Sequence, residues 1–508
     1  MGEINLLQIR PEDNVAVALK PLKQGTDAVL PSQTVPVAED IPAGHKIALR
    51  PIAAGEKVIK YGAPIGVATQ PIGSGSWVHT HNLKTQLEAN LNYNHEPVPF
   101  SPPAAGKERS FLGFRRKDGQ VGIRNELWII PTVGCVNRAC EKLAALAREK
   151  FKPEIDAGRI DGVYAFPHPY GCSQLGDDLA STQKILAGLV RHPNAGGVLV
   201  VALGCENNQL TEFKRFCYDQ ESPAAFDQDR LRFLIMQEVE DEIEAGLALL
   251  AELKDYASSD EREAVPVSAL KVGLKCGGSD GFSGITANPL AGRVTDILLA
   301  AGGTAVLTEV PEMFGAETRL MSRARDQRVY ARIVELINGF KAYFLRNGQE
   351  IYENPSPGNR DGGITTLEEK SLGCIEKGGT GMIVDVLDYG DRLRLPGLNL
   401  LAGPGNDLVS TTALAAAGVQ LILFTTGRGT PLGAPVPTVK IATNSALARK
   451  KRHWIDFDAG RLLAGEDLDA LAQELFVVLL QLAGGERKSR NEENEDRAIA
   501  IFKNGVTL

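Results

Sequence analysis

The alternation of apolar and polar positions changes its period partway along this chain of 508 residues. From Asp13 to about Tyr93 the apolar runs are short, as in NVAVAL, HKIAL and EKVIKYGAPIGVA, and turn residues separate them. Brief runs bounded by glycine, proline and asparagine read as strands, so this stretch predicts a small β-rich module. HEPVPFSPPAAGKERS follows, with four prolines and little apolar pattern, and reads as a linker. Beyond it the apolar runs LWIIPTV, GVYAFP, GVLVVALG, ALKVGL, TAVLTEV, LNLLAG and QLILFTTG alternate with helical segments. That is the pattern of βαβ units and parallel sheets. The expected fold class is α/β: a β-rich module over residues 1–95, a linker over 96–110, and a large α/β portion with mainly parallel sheets. The polar stretch from Leu253 to Ser268 divides that portion into a second domain, 111–265, and a C-terminal domain, 266–508.

Composition narrows the picture. With 43% hydrophobic and 23% charged residues the chain has the make-up of a globular protein. No segment holds the roughly 18 uninterrupted apolar residues that a membrane helix requires. ALAQELFVVLLQLAGG comes closest, but Glu474 and the closing glycines make it a covered surface helix. Charges stand where a signal peptide needs an apolar centre, so a cytoplasmic location is expected. A net charge of −8 argues against nucleic acid as a partner and leaves room for a small anionic substrate at a local basic site. No membrane partner is expected, and self-association stays open. The cysteines number seven, and in a reducing compartment thiols are more often buried, catalytic or metal-binding than paired.

Candidate chemistry gathers at predicted strand exits. Cys135, Cys172, Cys205 and Cys276 each stand just past a strand and beside a glycine, which points to one sheet edge. Space-filling between strand and helix is the plainer account of any one of them. Thiolates bind iron and zinc, and three of them also suit an iron–sulfur cluster with one iron open. In LKCGGSDGFSG, Leu274 to Gly284, the glycines suit close approach of a ligand to the main chain, while Asp280 or Ser283 also suits capping of the next helix. His79 and His81 in VHTHN fall on one side of an extended strand, as a ligand pair or as a solvated strand end. His168 is four residues from Cys172 and reads as a base, a ligand or a structural residue. Glu309, Glu312 and Glu317 follow TAVL, where carboxylates bind cations, move protons or open a helix. No GxxxxGK[ST] is present and no GxGxxG follows a strand, so nucleotide binding finds no support.

Taken together, VGIRNELWIIPTVGCVN, YGCSQLGDD, LGCENNQ, CGGSDGFSGITANP, LTEVPEMFGAE, NPSPGN, GGITTLEEKSLGC, PGLNLLAGPGND and IFKNGVTL resemble the altronate and galactarate dehydratase family, from about Asp13 to Leu508. The resemblance implies an N-terminal SAF-type β module, carrying VHTHN, ahead of two α/β domains. It also implies a hydro-lyase that converts D-altronate to 2-dehydro-3-deoxy-D-gluconate with Fe(II) or Mn(II), on the route by which bacteria degrade hexuronates. The galactarate branch shares CGGSDGFSG and NPSPGN, whereas YGCSQLGDD with LGCENNQ is closer to the altronate branch. Sulfolactate sulfo-lyase is a more distant relative whose module and large domain are separate chains, and the fused chain here leans against it. A sugar-acid binding protein without turnover is the reading from another class, and the intact thiol, glycine and histidine loops count against it.

Dehydration of an aldonate needs a base, an acid and a cation in one pocket, because the carboxylate beside C2 is already anionic. The expected acid–base residues are His168, Glu309 and Glu312. The expected metal ligands are His79, His81, Cys172, Cys205 and Cys276, with an iron–sulfur cluster as the alternative to a single Fe(II) or Mn(II). Arg124 and Asn125 in GIRNE, with Ser279 and Asp280, are expected to hold the sugar acid.

Overall fold

The computed structural model describes residues 4–88, 92–98, 109–218 and 227–508. Residues 4–88 form the expected β module. Its strands are short because a turn interrupts the chain every few residues. Leu6–Leu7, Val15–Ala18, Lys46–Ala48 and Trp77–Val78 make one antiparallel sheet, and Lys57–Lys60, Ala63–Ala68 and Leu83–Lys84 make another. Leu6, Ala16, Leu22, Ile41 and Ile47 form a core inside the module. Val58, Ile65 and Val78 instead share a core with Leu290, Val294 and Leu372 far along the chain. The module is therefore cemented to the body by apolar burial.

The second sheet has four parallel strands in the order Gly162–Ala165, Glu126–Pro131, Ala195–Ala202 and Leu231–Ile235. LWII reads as an unbroken apolar run because both of its faces are covered. Leu127 and Ile129 pack against Leu143 and Leu250 on one side, and Trp128 and Ile130 against Ile185 and Leu186 on the other. A small antiparallel sheet, Val121–Gly122, Ser110–Arg115 and Arg262–Pro266, ties together the two ends of this region.

Seven parallel strands make the third sheet, in the order Ile383–Leu387, Gly397–Leu401, Thr304–Leu307, Lys271–Cys276, Leu421–Thr426, Thr438–Ala442 and Phe457–Asp458. Its central strand, Lys271–Cys276, comes first in the chain. The chain leaves it towards Thr304–Leu307 on one side and returns later to Leu421–Thr426 on the other. In open α/β sheets a crevice opens at such a reversal, outside the carboxyl ends of the strands. The glycine-rich stretch after Cys276 starts there. Helix Leu468–Gly484, the stretch that comes nearest in sequence to a membrane helix, buries Leu471, Leu475 and Leu479 in the large core. Among the described residues no helix is long and apolar enough to cross a membrane.

Candidate active site

Three strand exits and one buried helix meet at this reversal. Cys276 ends the central strand, Glu309 and Glu312 follow Thr304–Leu307, and Asp407 follows Gly397–Leu401. Helix Leu367–Cys374 opposes them. Thr366 starts it, its hydroxyl accepting the Glu369 N–H at 3.3 Å. Lys370 and Cys374 are four residues apart and Lys377 is three further on, so all three share one face.

The Cys276 Sγ lies 3.3 Å from the Cys374 Sγ and 3.3 Å from Glu312 Oε2, and the Cys374 Sγ lies 3.1 Å from the same oxygen. Lys377 Nζ stands 2.9 Å from the Cys276 Sγ and 3.3 Å from Glu309 Oε2. Lys275 forms an ion pair with Glu309 and a second one, at 2.9 Å, with Asp407. Lys370 donates to Glu312 Oε1 at 2.8 Å. Apart from Asp407, every one of these side chains is buried.

The lysines separate the two glutamates. Burial raises the Glu309 carboxyl above its ordinary range in spite of Lys275 and Lys377, which makes Glu309 the more basic of the two. Burial acts the same way on Glu312, but Lys370, Lys275 and Lys377 together outweigh it and hold Glu312 well below the usual carboxylate range. The hydrogen bond with Cys276 and burial push the Cys374 thiol far up. Burial works against the Lys377 ammonium, yet Cys276 and Glu309 overcome it and raise Lys377 well above its ordinary value. The site therefore offers thiols, two carboxylates of unequal basicity and cationic lysines within a few ångströms.

The N-terminal module closes one side. Glu369, on the same helix, receives Lys60 at 2.7 Å and Lys46 at 2.9 Å from the module, all three side chains being buried. Burial opposes the Glu369 charge, and Lys46 and Lys60 override it, leaving the carboxyl well below its ordinary range. A small cavity of about 10 Å³, room for about one water, lies beside this contact, lined among others by Lys60, Ser279, Asn288, Glu369, Lys370 and Cys374. The glycine loop meets the module directly: a β-carbon at Gly281 would overlap the Gly44 carbonyl oxygen, and one at Gly284 would overlap the Tyr61 hydroxyl.

Of the residues singled out in the sequence, Cys276, Glu309 and Glu312 come together, and Ser279 and Asp280 line the adjoining cavity. Asp280 already accepts from Phe282 N–H, Ser283, Thr443 and Asn444, so it holds the loop shut. Arg124 does not face a pocket. Its guanidinium clamps Glu492 at 2.7 and 3.0 Å and donates to the Ile123 and Leu482 carbonyls, which corrects the expectation that it grips a substrate carboxylate. Asn125 is likewise spent on Arg116, Arg159 and Ala257.

His168 is buried in the second domain, Nε2 donating to the Pro131 carbonyl at 2.8 Å and Nδ1 accepting the Tyr170 N–H at 3.2 Å. Burial lowers it to about 4, which favours the neutral ring, and both ring nitrogens are already engaged by the fold, against the expected role as base. VHTHN is not an extended strand, because the strand stops at Val78 and Asn82 closes a turn by accepting the His79 N–H at 2.9 Å. His79 stacks on His45 and meets the Arg360 carbonyl at 3.0 Å, while His81 lies against Trp77. Neither histidine is brought to the thiol cluster.

The single sheet edge expected for the cysteines is in fact two edges. Cys172 and Cys205 leave the second sheet, with Cys135, whereas Cys276 leaves the third. Sequence reasoning missed Cys374, Lys275, Lys370 and Lys377. The spacing of Lys370, Cys374 and Lys377 was visible, but a helix buried on every side has no polar face to mark it.

Family models match the chain almost from end to end: the altronate/galactarate dehydratase SAF domain at residues 4–86, the D-galactarate dehydratase/altronate hydrolase second domain at 113–258, and the D-galactarate/altronate dehydratase C-terminal domain at 267–507. The altronate dehydratase of Escherichia coli (strain K12) is 52% identical over 503 residues, covering 99% of each chain. That of Bacillus subtilis (strain 168) is 51% identical over 507 residues, covering 99% of this chain and 100% of the relative. The galactarate dehydratase (L-threo-forming) of Escherichia coli (strain K12) is 33% identical, covering 98% and 96%.

Proposed function

The chain belongs to the altronate and galactarate dehydratase family, a hydro-lyase acting on a small sugar acid, and we propose that its substrate is D-altronate and its product 2-dehydro-3-deoxy-D-gluconate. The observation that carries the substrate is the contrast between 52% and 51% identity to altronate dehydratases and 33% to a galactarate dehydratase.

Of the two ions this reading calls for, the donor set fits Fe(II) better than the harder Mn(II), which prefers oxygen donors. The Cys276 Sγ, the Cys374 Sγ and a Glu312 oxygen lie within 4.8 Å of one another, and thiols with a carboxylate suit a borderline divalent ion. Bound there, the ion would supply Lewis-acid polarisation of the sugar acid. The lysines serve the substrate's charge. Lys370 and Lys377 present ammonium groups to a carboxylate and to the negative charge that grows when C2 loses its proton. Glu309, whose carboxyl burial raises above its ordinary range, is suited to take the proton from C2 and pass it to the hydroxide leaving C3, so that water departs and the carboxylate is restored. Burial of the whole group keeps these interactions in a medium of low dielectric, where they are strongest.

Incubating the purified chain with D-altronate, galactarate and related acids, and following 2-keto acid formation, tests the reading. Altronate should exceed galactarate in kcat/KM by at least about tenfold. A chelator should abolish turnover, and Fe(II) or Mn(II) should restore it. Preference for galactarate, or full activity after chelation, would overturn it.

A further inference from the structure

The thiols outside this site are divided sharply. Cys135, Cys172 and Cys205 are exposed, whereas Cys140, Cys217, Cys276 and Cys374 are buried. An exposed thiol fills no space between strand and helix, so the packing account fails for the exposed three. They leave three adjacent strands of the second sheet: Cys172 follows Gly162–Ala165, Cys135 follows Glu126–Pro131 and Cys205 follows Ala195–Ala202. Adjacent strands are about 4.8 Å apart, so the three loops start at one edge.

Hydrogen bonds knit these loops to one another. The Gly134 N–H donates to the Tyr170 carbonyl at 2.9 Å, and the Asn208 N–H to the Gly171 carbonyl at 2.9 Å. The Ser173 N–H donates to Asn207 Oδ1 at 2.7 Å, and Asn208 Nδ2 to the Thr132 carbonyl at 3.1 Å. The first three join a neighbour of one cysteine to the loop that carries another, and the fourth ties the loop of Cys205 to the strand exit before Cys135. A β-carbon at Gly171 would overlap the Thr132 carbonyl, so this packing depends on the glycine beside Cys172. Ser173, on its other side, is held at φ +58, a left-handed conformation that side chains rarely adopt. Two buried polar atoms in the same loops, Gln174 Nε2 and Asn208 Oδ1, have no hydrogen-bond partner. Gln174 is 1% exposed, so its amide is denied water as well.

We propose that Cys135, Cys172 and Cys205 hold a [4Fe–4S] cluster through three thiolates, leaving the fourth iron without a protein thiolate. Clusters of this type are held by cysteine thiolates and tuned by hydrogen bonds to their sulfur, which an unpartnered amide such as Gln174 can supply. Three thiolates in place of four leave one iron free to take an oxygen ligand, a water or a hydroxyl or carboxylate of a sugar acid. No change of oxidation state is involved in that binding. This is a second iron site, separate from the buried Cys276, Cys374 and Glu312 group, and it stands whichever sugar acid the enzyme prefers.

The test is to prepare the full chain without oxygen, or to reconstitute it with ferrous iron and sulfide, and to measure iron, acid-labile sulfide and visible absorption. Four sulfides per chain are expected with about four irons beyond any held at the buried group, together with broad sulfur-to-iron charge-transfer absorption. Cys135→Ser, Cys172→Ser and Cys205→Ser should each lose the sulfide and the absorption, while Cys276→Ser and Cys374→Ser keep them. Should a serine variant misfold, alkylation of the unaltered chain decides: the three exposed thiols should react after cluster removal and be protected when it is present. Iron bound without sulfide, absorption that survives all three serine variants, or thiols equally reactive in both states would overturn the proposal.

Discussion

Glu309 shows how much is arranged around a single residue. Its backbone sits at φ +69, a conformation costing a non-glycine residue roughly 1–3 kcal/mol, and its carboxylate is held by Lys275, Lys377 and the Cys276 N–H. A group of buried charges like this one is a poor way to gain stability, since removing charges from water costs about as much as pairing them returns. That gives a test of why the charges are there. Glu312→Leu or Lys370→Met alone strands a buried partner and should cost about 3–5 kcal/mol in urea unfolding. The double variant should recover most of that loss and still be inactive. A double variant as unstable as the singles would mean that the pair holds the fold together. Cys276, Glu309 and Glu312 were legible because strand exits bear function in α/β folds. The lysines were not, because a lysine in sequence reads as surface until its partner carboxylates are placed around it.

Among the elements, the glycine-rich loop departs most from its sequence reading. Its glycines suit close approach of something to the main chain, and sequence alone suggests a ligand. At Gly281 the visitor is the Gly44 carbonyl of the N-terminal module. The contact joins residues so distant in the chain that no local pattern could announce it. Gly281→Ala should therefore push the module away from helix Leu367–Cys374, costing about 1–3 kcal/mol from overpacking and lowering turnover with it. Gly339→Ala is the control, because Gly339 lies inside helix Gln327–Arg346 with nothing within 4 Å of an added β-carbon. It should raise stability by up to about 1 kcal/mol and leave turnover unchanged. Thermal melts of both variants, read beside their kinetics, check the pair of expectations; equal effects would show that Gly281 is an ordinary loop residue.

For the molecule as a whole, the change of apolar period along the chain gave the fold class correctly: short alternating runs for the module, unbroken runs for strands covered on both faces, while most of the expected linker, 96–110, lies outside the described residues. What periodicity cannot carry is which strands join which sheet, and so four cysteines that look equivalent in sequence belong to two different edges. Nor does it show that the module shares a core with the body, since its outward residues look like any half-buried strand. The contact of Lys46 and Lys60 with Glu369 has a last consequence, for covalent continuity. If the module is held by apolar burial and a desolvated charge triad, its covalent join to the body serves mainly to keep the partners at a local concentration of about millimolar. Made as two polypeptides divided there, the enzyme should reassemble and turn over when the halves are mixed. Glu369→Gln should prevent reassembly of the halves at micromolar concentration yet be better tolerated in the intact chain, where the tether makes up for the weakened joint.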